Sequence, residues 1–302
     1  MKASVIIATY NRESDLVRAI KSVLAQTYKS FELIVVDQTH KHNKTTQEFL
    51  NNIKDPRFSY YLIMPPSIPM ASNFGISKAR GEIAIFVDDD VELDNNFIDE
   101  HIKAYDDPAV GGVAGRIKVP GWKESKLLYR ITPSGLEIGG FDYPHDAVTR
   151  SGARGCNMSF RMSLLKSVGG FDTMYLDNAH RCETDLSYRI MAAGYRIVFR
   201  TKASLIHFYT PAGGSRSKST FFRSVESFSN SFRFFYKNLN HSKRVLFNFY
   251  IINILFIIRR PNPAIMYERF RYLIEGSRKA QKELNDNSLQ IKATEISVPI
   301  TL

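Results

Sequence analysis

The sequence predicts an α/β fold with a mainly parallel central sheet flanked by helices, followed by a C-terminal helical appendage. Two observations lead there. The first 115 residues alternate short, β-branched apolar runs with amphipathic stretches. That alternation calls for right-handed crossovers and a sheet covered on both faces. Beyond residue 216 the composition shifts to Phe, Tyr, Arg, Lys and Ser, without a Gly/Ser linker. The expected organisation is residues 1–115 and 116–215 as two halves of one domain, and 216–302 as a basic, aromatic-rich helical region.

Residues 3–8 (ASVIIA) are too short for a helix and predict a buried strand. After the polar turn at 9–12, Leu16, Ala19, Ile20, Val23 and Leu24 recur at helical spacing up to Tyr28. Residues 31–36 (FELIVV) predict a second strand, 44–53 a helix and 58–64 a third strand. Residues 71–79 predict a helix and 83–87 (IAIFV) a fourth strand, with a helix at about 95–106 after it. From 116 to 215 the chain is richer in glycine, with a compact stretch at 152–160 (GARGCNMSF), a turn at 169–172 (GGFD) and a helix from about 183 to 193.

With 302 residues, 44% of them hydrophobic, the chain can bury a full core, which excludes a disordered or fibrous protein. Cys156 and Cys182 are too few for a disulfide framework, and the start MKASVIIATYNR lacks a basic stretch followed by a long apolar segment. A reducing cytosol is the expected compartment. The net charge of +11 is local: residues 216–282 hold 14 Lys or Arg against 3 Asp or Glu, and the 27 basic and 27 acidic residues elsewhere cancel. The charge describes the appendage, and nothing else in the chain supports a nucleic-acid partner.

In parallel sheets, ligands bind at the carboxyl ends of the strands, where loops converge and helix N-termini point into the crevice. Three polar clusters fall there: Thr9, Tyr10, Asn11 and Arg12 after the first strand, Asp37 after the second, and Asp88, Asp89 and Asp90 after the fourth. Three carboxylates in a row at a buried strand end repel one another, and a divalent cation is a natural compensator. Carboxylate oxygens suit Mg or Mn, and in an extended run positions i and i+2 face one side, so Asp88 and Asp90 can share an ion. The competing reading is a helix N-cap cluster or a solvated turn.

These stretches resemble the family 2 glycosyltransferases, which have the GT-A (nucleotide-diphospho-sugar transferase) fold. The resemblance rests on SVIIATYNR (4–12), FELIVVDQT (31–39), ASNFGISKARGEIAIFVDDD (71–90), GCNMSFR (155–161), VGGFD (168–172) and ETDLSYRIMAAGYRI (183–197), in the family's order, and covers about residues 3–215. It implies transfer of a sugar, with inversion, from a UDP-, GDP- or dTDP-sugar to a hydroxyl of a saccharide or lipid-linked acceptor, in surface polysaccharide or glycan biosynthesis. A nucleotide-sugar-binding half at 1–115 and an acceptor-binding half at 116–215 follow from it. So do Thr9, Asn11 and Asp37 at the nucleotide, Asn73 among the donor contacts, and Asp88 and Asp90 in the Asp-x-Asp motif. Glu183 takes the place of the general base, and Asp185, beside it, is expected to contact the acceptor or position Arg189. The sequence departs from the family at Ser72, where many relatives have arginine, and at Cys182, where they have an acid. Spacing alone favours Glu183 and Asp185 as plain acids in the first turn of a helix, and it is the flanking resemblance that reverses this for Glu183.

Gly155, Cys156 and Asn157 lie in a tight stretch that suits close approach of a sugar. His207, after ASLI at 203–206, is either a third metal ligand or structural. Gly213, Gly214, Ser215 and Arg216 are candidates for a lid over a diphosphate. Between 221 and 272, Phe and Tyr alternate with Arg and Lys. The run 245–258 is too short to span a bilayer, which leaves peripheral contact with an anionic inner leaflet, or packing on the catalytic domain or on a second subunit of a homo-oligomer. Two rival functions are a sugar-1-phosphate nucleotidyltransferase, which would need a glycine-rich basic loop where this chain has TYNRESD, and an inactive membrane-associated scaffold with a glycosyltransferase-like domain.

Overall fold

The apolar runs of the first ninety residues become β1 (Ala3–Thr9), β2 (Phe31–Asp37), β3 (Phe58–Met64) and β4 (Ile83–Val87), parallel and in the order β3-β2-β1-β4. The structure is a computed structural model that describes residues 1–132, 136–214, 224–239, 243–259, 262–286 and 294–295. β2 and β4 are buried along their whole length, which is why they read as unbroken apolar runs rather than alternating ones. The crossovers are α1 (Ser14–Leu24), α2 (Lys44–Asn52) and α3 (Ile68–Lys78). α1 buries Leu16, Ala19, Ile20 and Val23, the predicted stripe. α3 starts earlier than its apolar spacing suggests, because Pro69 sits in its first turn, where a missing N–H costs nothing.

Beyond β4 the sheet changes direction. The acidic run turns the chain into the short β5 (Val91–Leu93), and α4 (Phe97–Lys103) leads to β6 (Val110–Lys118). After the short β7 (Arg130–Ile131), β8 (Glu137–Ile138) and β9 (Ala147–Thr149), β10 (Asn157–Arg161) enters antiparallel between β4 and β6, pairing Asn157 with Val87, and α5 (Met162–Ser167) follows it directly. The stretch at 152–160, expected only as a compact stretch with no strand assigned, thus ends in a central strand. α6 (Cys182–Ala192) precedes β11 (Arg196–His207), which runs parallel to β6 and antiparallel to β5, with His207 opposite Val91. Gly115 on β6 is required by close approach: a Cβ there would stand 2.2 Å from the Ala203 carbonyl oxygen and from Asn157 Oδ1.

Three helices follow among the described residues, α7 (Val225–Asn238), α8 (Lys243–Ile258) and α9 (Pro263–Asn285), and the two residues Thr294–Glu295 then pair with β3. α7 packs between α6 and α9, burying Phe228, Phe232, Phe234 and Phe235. Polar ties reinforce this docking. Asp185 of α6 accepts a hydrogen bond from Asn238 Nδ2 at 2.9 Å and pairs with Lys237 Nζ at 3.1 Å. α7 therefore packs on the sheet domain. α8 instead presents Phe247 (63% exposed), Ile251, Leu255 (51% exposed) and Ile258 along one side. Among the described residues, no helix is long and apolar enough to cross a membrane.

Candidate active site

The acidic run is a turn rather than an extended segment, yet Asp88 and Asp90 still converge. The cause is β5: its antiparallel register with β11 brings His207 alongside, and the Phe208 N–H donates to the Asp90 carbonyl at 3.0 Å. His207 Nε2 lies 2.9 Å from Asp90 Oδ1 and 3.7 Å from Asp88 Oδ2. One donor atom from each of the three lies within 4.8 Å of the others, a set of two carboxylate oxygens and one imidazole nitrogen that suits a divalent cation. Asp88 is 46% exposed and opens this set to the cleft, whereas Asp90 is buried.

The charge repulsion inside the run has a second remedy that the sequence reading did not include. Arg12, expected at the nucleotide, is buried beneath the acids, with Nε 3.3 Å from Asp89 Oδ1, Nη2 3.4 Å from Asp90 Oδ2, and Nη1 donating to the Thr210 carbonyl at 3.1 Å. Thr9 Oγ1 donates to Asp89 Oδ2 at 2.7 Å. Burial nevertheless pushes the Asp89 carboxyl up to about 7, with Asp90 and Asp88 adding to the rise against Arg12 and Thr9. Burial opposes charge on the His207 imidazole, but Cys156, Asp90 and Asp88 carry it up to about 11.

Two spaces meet at Asp88. A small cleft of about 90 Å³ is lined by Thr9, Tyr10, Arg12, Gln38, Ser67 and the three acids. A larger cavity of about 680 Å³ is lined by Asp88, His207, Gly155, Cys156, Glu183 and Ser72, among others. Ala8, Ile68 and Asp88 border both. Glu183 stands in the first turn of α6, half-buried, on the wall of the larger cavity. Gly155 borders it closely: a Cβ there would touch the Glu183 carboxyl carbon at 4.0 Å.

Other expected site residues are turned into the protein. Asp37 is fully buried, its Oδ2 accepting from His42 Nε2 at 2.7 Å and from the Tyr60 hydroxyl at 3.0 Å, its Oδ1 from the Thr39 N–H. Asn157 gives both amide protons to the Arg116 and Ala203 carbonyls, and its Oδ1 faces His101 Nε2 at 3.0 Å. That fixes the His101 tautomer: Nε2–H donates to Asn157, Nδ1 accepts from Ser159 Oγ, and the Tyr105 hydroxyl donates to Ser159. Asn73 brackets the backbone N–H and carbonyl of Phe171, both at 2.8 Å, and so holds the GGFD turn. Asp185 is buried behind α6, bonded to Arg189 Nε at 2.8 Å as well as to α7, and Arg189 continues to the Val168 and Gly170 carbonyls.

Asn11 adopts a left-handed backbone (φ 52°), and its N–H donates to Thr39 Oγ1 at 2.8 Å. Gly214 donates to the Tyr10 carbonyl at 2.7 Å, so the Gly-Gly pair rests on the loop after β1. Gly213 has φ 77°, and a Cβ on it would strike the Asn11 carbonyl oxygen at 2.2 Å. Ser215 and Arg216 lie outside the described residues. Cys156 and Cys182 are both free and buried.

Among the cavity residues that the sequence did not single out are Trp122, Tyr209 and Arg154. Trp122, 68% exposed, stacks on Tyr209 with ring centroids 5.3 Å apart and planes 20° apart. The only available signals were a lone tryptophan in a Gly/Pro loop and an arginine amid glycines.

The family described as glycosyl transferase family 2 matches residues 4–169. A glucosyl-dolichyl phosphate glucuronosyltransferase of Haloferax volcanii is 28% identical over 182 residues, covering 57% of this chain and 56% of the relative, so the match spans about half that protein's length. Among solved structures, a mannosyltransferase from Pyrobaculum calidifontis in complex with GDP-Man and Mn2+ superposes with TM-score 0.58 at 17% identity, over 95% of this chain and 79% of the other. GalNAc-T7 with UDP, GalNAc and Mn2+ gives 0.63 at 13% identity, over 97% and 59%. These likenesses identify the fold as GT-A, as the resemblance implied. The matched segment exceeds half of the 302 residues and contains the acidic turn, so the chain belongs to glycosyl transferase family 2.

Proposed function

We propose that the protein is an inverting glycosyltransferase that moves a sugar from a nucleotide-diphosphate sugar to a hydroxyl of a saccharide or lipid-linked acceptor. The observation that carries this reading is that Asp88 and His207 of the cation-suited set share one cavity with Glu183. Asp88, Asp90 and His207 would hold the ion, and the imidazole nitrogen favours Mn over Mg. When bound, a divalent ion supplies positive charge where a departing nucleoside diphosphate becomes anionic. Thr9 and Tyr10 border the nucleotide side, with Asn11 next to them in the loop after β1, and Arg12 with Asp89 hold the acidic turn in shape from below. Asp37, Asn73 and Asn157 serve as positioning residues.

Glu183 is the general base. It takes the proton of the acceptor hydroxyl as that oxygen bonds to the anomeric carbon and the carbon–oxygen bond to the diphosphate breaks on the opposite face. Asp185 supports it indirectly by fixing α6. The donor is a UDP-, GDP- or dTDP-sugar. The name of the Haloferax relative favours a lipid-phosphate-linked acceptor, and the lipophilic side of α8 in a strongly basic region fits peripheral contact with an anionic inner leaflet. Thermal-shift screening of nucleoside diphosphates with Mn or Mg, followed by turnover of the matching sugar nucleotide with and without chelator, tests the reading. Metal-independent turnover, or full activity of Asp90→Ala, overturns it; retention of anomeric configuration in the product overturns the single displacement.

A further inference from the structure

Arg154 stands at the turn before β10 and lines the larger cavity. Its electrostatic neighbours are Tyr209, Glu183, Cys156 and Tyr129. Other arginines around this half of the protein are ion-paired: Arg181 with Glu137, Arg116 with Asp142 and Glu124, and Arg189 with Asp185. Among the described residues, Arg154 has no side-chain hydrogen bond and no ion pair. A guanidinium carries five N–H donors in a planar fork matched to carboxylate and phosphate. If its task were only to hold Glu183, it would stand within ion-pair reach of that carboxylate, and it does not.

We propose that Arg154 receives an anionic group of the substrate, a carboxylate or a phosphate, and that the cavity in front of Glu183 therefore selects negatively charged sugars. This rests on the transferase reading of that cavity. Arg154 sets specificity: its cation takes the substrate's charge in a partly desolvated space, where a charge-assisted, bidentate pair is stronger than a neutral contact. The stacked rings of Trp122 and Tyr209 on the same wall offer the sugar's apolar face a surface.

Trp122 is the single tryptophan of the chain, so its emission reports occupancy of this cavity. The full chain, in chelator so that no phosphate binds through a metal, is titrated separately with glucose 1-phosphate, glucuronic acid and glucose. At least one of the two anionic sugars is expected to bind about tenfold or more tightly than glucose. Arg154→Gln removes that preference and Arg154→Lys retains part of it. A response to glucuronic acid alone points to an acidic sugar, and a response to glucose 1-phosphate alone points to a phosphate-bearing one. Equal binding of all three, no response to either anion, or an intact preference in Arg154→Gln overturns the proposal. If Arg154→Gln does not fold, Arg154→Lys and the three wild-type titrations still decide it. The titration uses neither nucleotide nor metal. An Arg154-dependent preference without sugar-nucleotide turnover therefore overturns the transferase reading alone, and turnover without the preference overturns this one alone.

Discussion

His207 Nε2 lies 2.9 Å from Asp90 Oδ1, although 117 residues of chain separate the two. The pairing of β5 with β11 creates this contact and adds an imidazole to a strand-end acidic run, giving a set of three groups that could hold a cation. His207→Ala is expected to weaken Mn activation by at least about tenfold, and Asp90→Ala to remove it. Turnover measured against Mn concentration checks both, and equal Mn dependence in wild type and His207→Ala would remove the imidazole from the set.

Glu183→Gln keeps the shape of the α6 start but not the basicity. The kcat should fall by about 100-fold or more with little change in KM, because general-base catalysis contributes about that much and acts mainly in the transition state. A drop confined to KM would instead make Glu183 a binding residue.

Asp185→Ala leaves Lys237 and Arg189 without their shared carboxylate and should destabilise the protein by about 2–4 kcal/mol, less than a fully buried pair because both cations are partly exposed. Burial works against ionisation of Asp185, but Lys237 and Arg189 hold its carboxyl below the usual range. Its contribution is therefore complete above the unfolded carboxylate value and lost as pH falls through the lower folded value. Urea unfolding of wild type and variant should differ most near neutrality and converge in strong acid.

Burial lowers the His101 imidazole to about 4, against a slight rise from Asn157. The unfolded chain thus binds this proton more readily between about 6.5 and 4, so stability from the neutral imidazole is full above the unfolded value and declines as pH falls across that window. NMR titration should leave His101 unprotonated down to about pH 4.5, and protonation near 6.5 would disprove the assigned hydrogen-bond chain.

Phe247→Glu and Leu255→Glu place charge on the lipophilic side of α8. Cosedimentation with vesicles containing anionic lipid should fall several-fold, and turnover of a water-soluble acceptor should not change. Unaltered vesicle binding would shift attention to α8 as a protein contact.

Much of the first ninety residues was legible locally. β1, β2 and β4 are buried on both faces, so their apolar runs and polar ends show in the sequence, and Thr9, Tyr10, Asp88 and Glu183 do line the two spaces. Arg12, Asp37, Asn73 and Asn157 sit in the same motifs yet direct their polar atoms inward. Motif position says where a backbone runs; the direction of a side chain depends on partners as distant as residue 203 for Asn157.

The sequence by itself determined the α/β class, the strands that carry the cleft and the acidic run at its centre, because burial and charge there are local properties of the chain. Tertiary structure alone decided which polar groups face the cavity. The antiparallel entry of β10 turned Asn157 away, the register of β5 on β11 set His207 against Asp90, and folding of the first loop carried Arg12 under the acids. Strand register has no local signature, because it is set by the packing and hydrogen bonding of segments far apart in the chain.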